Sequence, residues 1–119
     1  MRDFRELKVW QKAHQLTLSV YQATRTFPQD ERFGLISQVR RSCASVAANL
    51  AEGCGRTSQA NFHRFLDFAM GSASETQYHL LLAHDLGYLA NELHIRLDGD
   101  VVEVKKMLSA LSLKLKAEG

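Results

Sequence analysis

The sequence is poor in proline, glycine and cysteine, and these shortages exclude several classes of protein. One proline and seven glycines in 119 residues are too few for the many tight turns of an all-β chain, so long helices are expected. Cys43 and Cys54 would lie about 16 Å apart on one straight helix, well beyond the ~7 Å between Cα atoms that a disulfide spans. We therefore expect reduced thiols and a cytoplasmic location.

Long hydrophobic runs and a strong charge of one sign are also lacking. No apolar run approaches the ~20 residues of a transmembrane helix, and the N-terminus has no apolar signal-peptide core. The net charge is +2, with nine basic and five acidic residues in 1–60 and six basic and eight acidic in 61–119. A domain that coats nucleic acid is usually far more basic. We expect no membrane partner and only a weak preference for anionic partners.

Apolar residues recur at helical spacing in four segments separated by short connectors. The pattern predicts one domain over 1–119, an all-α, antiparallel up-and-down four-helix bundle. The predicted helices cover about 4–27, 35–54, 59–89 and 92–116.

Local signals place the ends of these helices. Asp3 is a good N-cap for the first helix, and Pro28 should end it. The Asp98-Gly99-Asp100 segment interrupts the fourth helix, whose first turns are expected to fray or bend. Small residues at Gly71–Ser74 in the third helix predict close approach of another backbone.

A polar stripe follows the second helix. Steps of three or four residues return six side chains to one line of an α-helix. They are Gln38, Ser42, Ser45, Asn49, Glu52 and Arg56. Because four of the six are uncharged and short, a hydrogen-bonded contact within the fold or between subunits is favoured over a ligand site or a solvated face.

The third helix also carries polar side chains, and we include Ser72 and Glu75 in the same candidate site as the polar stripe. We expect Asn49 and Glu52 to be held by neighbouring helices, with Arg41, Arg56 or Ser72 as the partners. On another side of the second helix, small side chains form a line that predicts a close helix neighbour. That line contains Arg40, Ala44, Ala47 and Ala51.

Few residues of the sequence have the spacing that catalysis or metal binding requires. The Glu-x-x-His pattern of di-iron bundles is absent, and no cysteine spacing suggests zinc. Glu75 and His79 could share a metal, but an ordinary helix pair is favoured. The Gly53-Cys54-Gly55 segment could meet an anion with Arg56, although a helix cap and turn is favoured. We predict no catalytic residue, no metal and no cofactor; an enzyme or metal protein using Glu52, Glu75 and His79 is the weakest hypothesis.

Basic side chains of the first two helices are candidate nucleic-acid contacts. They are Arg5, Lys8, Lys12, Arg40, Arg41 and Arg56. For the first three, a solvated helix face is the favoured interpretation.

Several segments resemble one known family over nearly the whole chain. They are Phe4…Leu7…Val9-Trp10, Tyr21…Thr24…Phe27-Pro28, Phe33-Gly34-Leu35…Gln38…Arg40-Arg41, Ser45-Val46…Asn49-Leu50-Ala51-Glu52-Gly53…Arg56 and Gly71-Ser72…Glu75. These residues resemble the bacterial four helix bundle protein family, also known as the 23S rRNA intervening-sequence proteins. The Asp98-Gly99-Asp100 segment departs from the family pattern, which is strongly helical there.

The resemblance implies an all-α bundle that assembles into a ring of five subunits and has no known catalytic activity. Some family members are encoded inside insertions of large-subunit rRNA genes. A distant group, the accessory variability proteins of diversity-generating retroelements, is strongly basic and engages reverse transcriptase and nucleic acid. The net charge of only +2 argues against the same nucleic-acid binding in this chain.

Two hypotheses of different classes follow. The leading one is a non-enzymatic, cytoplasmic homo-oligomer, a pentamer by resemblance, that acts as an interaction or accessory protein. The second is a module that binds RNA, or a nucleic-acid-associated protein, through the basic residues of the first two helices.

Overall fold

The computed structural model of the protein describes residues 2–118. Within them the chain forms four α-helices and no strand. The helices are α1 (Lys8–Thr24), α2 (Leu35–Cys54), α3 (Gln59–Asp85) and α4 (Asn91–Glu118). Consecutive helices pack against each other, and α4 also packs against α1, which completes the bundle. Short connections make sequential helices antiparallel, so the predicted four-helix bundle is confirmed.

The core lies along the bundle axis and is built from the apolar stripes seen in the sequence. Each helix contributes side chains that solvent barely reaches, such as Val20, Leu50, Leu80 and Val104. Burying one such side chain stabilises the fold by about 1.5–3 kcal/mol. Within residues 2–118 no helix combines the length and the hydropathy that crossing a bilayer requires.

The first helix is shorter than predicted at both ends. Asp3 caps a 3-10 turn, Phe4–Glu6, by accepting a hydrogen bond from the Arg5 N–H at 3.0 Å. The extended backbone of Leu7 then separates this turn from α1, so the prediction of a helix starting at residue 4 is wrong. At the other end the α-helix stops at Thr24 rather than Phe27, and the Phe27 ring turns inward to be buried near Tyr88.

The second helix has the predicted bounds, whereas α3 ends at Asp85, four residues before the predicted Leu89. Gly87 has a φ of +83°. The Tyr88 N–H donates to the Ala83 carbonyl and the Gly87 N–H to the His84 carbonyl, both at 2.9 Å. This is a Schellman motif, in which a left-handed glycine stops the helix.

The Asp98-Gly99-Asp100 segment lies inside a continuous α4, so the predicted fraying is wrong. Tertiary contacts hold both carboxylates: Gln77 donates to Asp98 at 3.1 Å and Lys12 to Asp100 at 3.2 Å. Those contacts offset the low helix propensity of the glycine.

Within one subunit no backbone closely approaches Gly71, because a Cβ there would meet nothing within 4 Å, and a contact with another subunit at this position stays a prediction. The close approach occurs at Gly53, where a Cβ would lie 2.9 Å from the Phe62 ring and 3.0 Å from the Phe65 Cβ. The glycine therefore allows the end of α2 to lie directly against the start of α3.

Candidate functional site

The polar stripe of α2 is buried in its middle and exposed at its ends. Ser42 is fully buried, and Ser45 and Asn49 are half-buried. The three outer members, Gln38, Glu52 and Arg56, are exposed. The stripe is therefore buried against α3 only in its central part.

The buried part forms two hydroxyl pairs between α2 and α3. Ser42 Oγ lies 2.9 Å from Thr76 Oγ1, and Ser45 Oγ lies 2.9 Å from Ser72 Oγ. Thr76 also donates to the Ser72 carbonyl at 2.8 Å, which joins the two pairs. We call Ser42, Ser45, Ser72 and Thr76 the hydroxyl ladder. The sequence prediction omitted Thr76, although its position four residues after Ser72 puts it on the same side of α3.

Asn49 is not held by a neighbouring helix, so the prediction is wrong for that residue. Asn49 Nδ2 donates to the carbonyl and the hydroxyl of Ser45, at 2.8 and 2.9 Å, on its own helix. Glu52 is exposed and lies 3.9 Å from Arg56, one of its predicted partners, which follows the end of α2 and does not belong to a neighbouring helix. At this level α3 presents Phe65, whose ring lies under the Arg56 guanidinium at 4.9 Å and has no hydrogen-bonding group for Glu52.

Next to the hydroxyl ladder, an ion pair links the same two helices at the surface. Arg41 donates to Glu75 and, at 3.2 Å, to Gln38. His79 Nε2 lies 3.0 Å from Glu75 Oε2. The hydrogen bond with His79 and the charge of Arg41 lower the pKa of the Glu75 carboxyl. Within residues 2–118 no three His, Cys, Asp or Glu side chains are grouped as metal ligands would be.

The basic residues predicted to contact nucleic acid lie on several sides of the bundle. Lys12 bonds Asp100 and Glu103 of α4, at 3.2 and 3.4 Å. The contact with Asp100 raises the pKa of Lys12. Arg40 is directed instead towards α1, where its Nε donates to Thr24 Oγ1 at 2.8 Å and its guanidinium lies 4.6 Å from the Tyr21 ring centre.

The remaining four basic residues are more accessible. Arg5 and Lys8 are exposed near the N-terminus, and Arg41 and Arg56 lie half-exposed on the α3 side of α2. Because Lys12, Arg40 and Arg41 face three different helix contacts, the six residues do not form one continuous basic surface.

The outer side of α2 carries alanines. Ala44 and Ala51 are partly exposed and Ala48 is exposed, while Ala47 is buried. We call Ala44, Ala48 and Ala51 the alanine face; Ala48 was missed in the sequence because the predicted line ran through Ala47. The two helices that pack against α2 also expose aromatic side chains. They are Tyr21, Phe68 and Tyr78, with 41%, 45% and 58% of their surface exposed.

Both cysteines are buried and unbonded, as the sequence predicted. Burial raises the pKa of the Cys43 thiol to about 11, which leaves very little thiolate at neutral pH. Burial also raises the pKa of Cys54. Neither thiol is therefore suited to act as a nucleophile.

Comparison with known proteins identifies one family and one fold. A family model described as 23S rRNA-intervening sequence protein matches residues 5–110. The crystal structure of a protein of unknown function from the S23 ribosomal protein family of Bacteroides thetaiotaomicron is similar, with a TM-score of 0.79 and 26% sequence identity. The match covers 87% of this chain and 97% of the other. None of the curated proteins compared with the chain matches it.

Proposed function

The chain belongs to the 23S rRNA-intervening sequence protein family, and we propose that it acts in the cytoplasm as a non-enzymatic, homo-oligomeric interaction protein. The proposed assembly is a ring of five subunits, the number that the family resemblance implies. Two free, buried thiols agree with a reducing compartment.

The alanine face is the observation that carries this proposal. Exposed helix positions in a monomer usually bear long charged side chains, but Ala44, Ala48 and Ala51 leave the α2 backbone accessible for close helix packing. The neighbouring helices α1 and α3 expose the rings of Tyr21, Phe68 and Tyr78. Aromatic side chains are enriched in protein interfaces, and such a patch indicates an interaction surface. A second copy of the chain is the proposed occupant.

The non-enzymatic part of the proposal rests on how the polar groups are used. The hydroxyl ladder satisfies its hydrogen bonds between α2 and α3, and Arg41 and Glu75 satisfy each other. Because these groups are used in contacts between helices, they support a structural rather than a catalytic role.

Sedimentation equilibrium tests the assembly. We expect the wild-type protein to sediment as an oligomer at micromolar concentration, and Ala48→Glu to shift it towards the 13.4 kDa monomer. The matched control is Ala60→Glu, an exposed alanine in the first turn of α3, where a carboxylate is favourable. A wild-type monomer, or equal masses for Ala48→Glu and Ala60→Glu, would reject the alanine face as the interface.

RNA binding is the second candidate function. The family description names an rRNA intervening sequence, and the half-exposed Arg41 and Arg56 lie on one side of α2. Binding through phosphate contacts should weaken steeply as salt rises. Arg41→Gln with Arg56→Gln should then reduce both the affinity for a structured RNA and its salt dependence, whereas Lys114→Gln on α4 should not. Absence of binding at low salt would eliminate this candidate.

A further inference from the structure

A long groove lies on the outer side of the contact between α3 and α4, away from the alanine face. Two adjoining hollows of about 480 and 340 Å³ share Met70, Ser109 and Leu113 as lining residues. A third, of about 360 Å³, continues between His63 and Leu115. Along α3 the groove extends from Gln59 to Gln77, which is about 27 Å at 1.5 Å per residue.

The floor of this groove is apolar and remains open to solvent. Met70 and Val102 are partly exposed in it, and Leu113 exposes 66% of its surface. Ile95, 63% exposed, precedes Val102 by seven residues and so continues the same side of α4. Exposed leucine and isoleucine side chains in a row indicate a binding surface more than a solvated helix side.

One rim of the groove is basic. Lys105, Lys106 and Lys116 line it from α4. Among residues 2–118 no carboxylate lies within ion-pair distance of any of these three ammonium groups; this contrasts with Lys12, which has two acidic partners. Lys105 donates only to the neutral Gln77, at 3.2 Å. Asp67 is the acidic side chain that lines the opposite rim.

We propose that this groove binds an acidic amphipathic helix of a partner protein. A helix of about 18 residues matches the length of the groove, its apolar side would cover Met70, Val102 and Leu113, and its acidic flank would pair with the lysines. Charge complementarity selects this occupant. Nucleic acid would use the lysines but leave the leucine and methionine side chains in water. The proposal uses a different surface from the assembly and does not depend on it.

A synthetic peptide is the probe. It carries leucines at helical i, i+3, i+4 and i+7 positions and glutamates on the flanks, and a matched peptide has lysine at every glutamate position. Fluorescence anisotropy with the full chain should show binding of the glutamate peptide and at least tenfold weaker binding of the lysine peptide. Equal affinity for both peptides, or no binding of the glutamate peptide, would overturn the proposal.

Two variants locate the peptide. Leu113→Glu, at an exposed position that should not affect folding, is expected to weaken binding at least tenfold. Leu18→Glu is the matched control on α1, where the leucine is 51% exposed, and it should leave the affinity unchanged. Equal effects of the two variants would overturn the assignment of the groove.

Two further readouts distinguish other occupants. If Leu113→Glu lowers the sedimenting mass, a second copy of this chain occupies the groove and the proposal of a partner helix fails. If a single-stranded RNA displaces the glutamate peptide in wild type, and Leu113→Glu leaves RNA binding intact, nucleic acid is the occupant. If wild type is a monomer and still binds the glutamate peptide, the proposed homo-oligomer is refuted and the proposed groove is not.

Discussion

Ser42 Oγ and Thr76 Oγ1 lie 2.9 Å apart in the fully buried contact between α2 and α3. Ser42 also donates to the Val39 carbonyl at 3.2 Å and Thr76 to the Ser72 carbonyl at 2.8 Å, so each hydroxyl contacts a backbone carbonyl of its own helix as well as the other hydroxyl. A hydroxyl pair in a core of Val, Leu and Ala side chains specifies which part of α3 can lie against α2. A slide of one residue along either helix would break the hydroxyl pair, at a cost of about 0.5–1.5 kcal/mol.

The first prediction concerns this pair. Thr76→Val keeps the shape of the side chain but removes the hydroxyl, and Ser42→Ala removes the other member. Each should lower the free energy of unfolding by about 1 kcal/mol, and the double variant should cost less than the sum, because the second substitution removes a group already without its partner. Urea denaturation measures the cycle. Strictly additive costs would show that the two hydroxyls do not interact.

The second prediction compares two helical glycines. Gly53→Ala should destabilise the protein by about 1–3 kcal/mol, since its Cβ would lie 2.9 Å from the Phe62 ring in the packed contact between α2 and α3. Gly71→Ala is the matched control; with open space around it, the alanine should stabilise α3 by about 0.5–1 kcal/mol. Thermal unfolding of the two variants should therefore shift in opposite directions. Shifts in the same direction would contradict the close approach at Gly53.

The third prediction concerns thiol reactivity. Burial raises the pKa of both cysteines, that of Cys43 to about 11, and also blocks access of reagents. In the folded protein at pH 8, an aromatic disulfide reagent should modify both thiols very slowly. After denaturation it should titrate two thiols per chain at once. Rapid modification of the folded protein would show that the core opens locally near one of them.

The fourth prediction is a pH dependence from Glu75. Its pKa is lowered from 4.5, first by the hydrogen bond with His79 and then by the charge of Arg41. A carboxyl with a lowered pKa stabilises the folded state above pH 4.5, and this contribution is lost as the pH falls through the folded-state pKa. Wild type should therefore be more stable than Glu75→Gln at pH 7, with the difference shrinking below pH 4.5. A stability difference that stays constant with pH would show that Glu75 acts through packing and not through its charge.

Much of the fold was predictable from the sequence. The bounds of α2 follow from its apolar spacing between Gly34 and Gly55, and the Ser58 cap of α3 accepts the Asn61 N–H at 3.1 Å, as a local signal predicts. The end of α3 was predicted late because apolar residues continue to Leu89, which is buried beyond the helix. Periodicity cannot distinguish a buried helical residue from a buried residue in a loop.

The candidate site was only partly predictable. The polar spacing of Ser42 and Ser45 placed them correctly on one line of α2, but it could not tell which part of that line α3 covers. Glu52 shares the line and is exposed, since α3 presents Phe65 at that level rather than a polar partner. The same limit applies to Lys12, whose partners Asp100 and Glu103 lie some ninety positions along the chain.

The sequence by itself determined that the chain forms four amphipathic helices with a continuous apolar stripe on each, because side-chain spacing and hydrophobic burial act locally along a helix. Only the tertiary structure decided which polar groups form the hydroxyl ladder and which remain in water. It also decided that the Asp98-Gly99-Asp100 segment stays helical. Those outcomes depend on what the neighbouring helix presents at each level, as Gln77 and Lys12 do for the two aspartates.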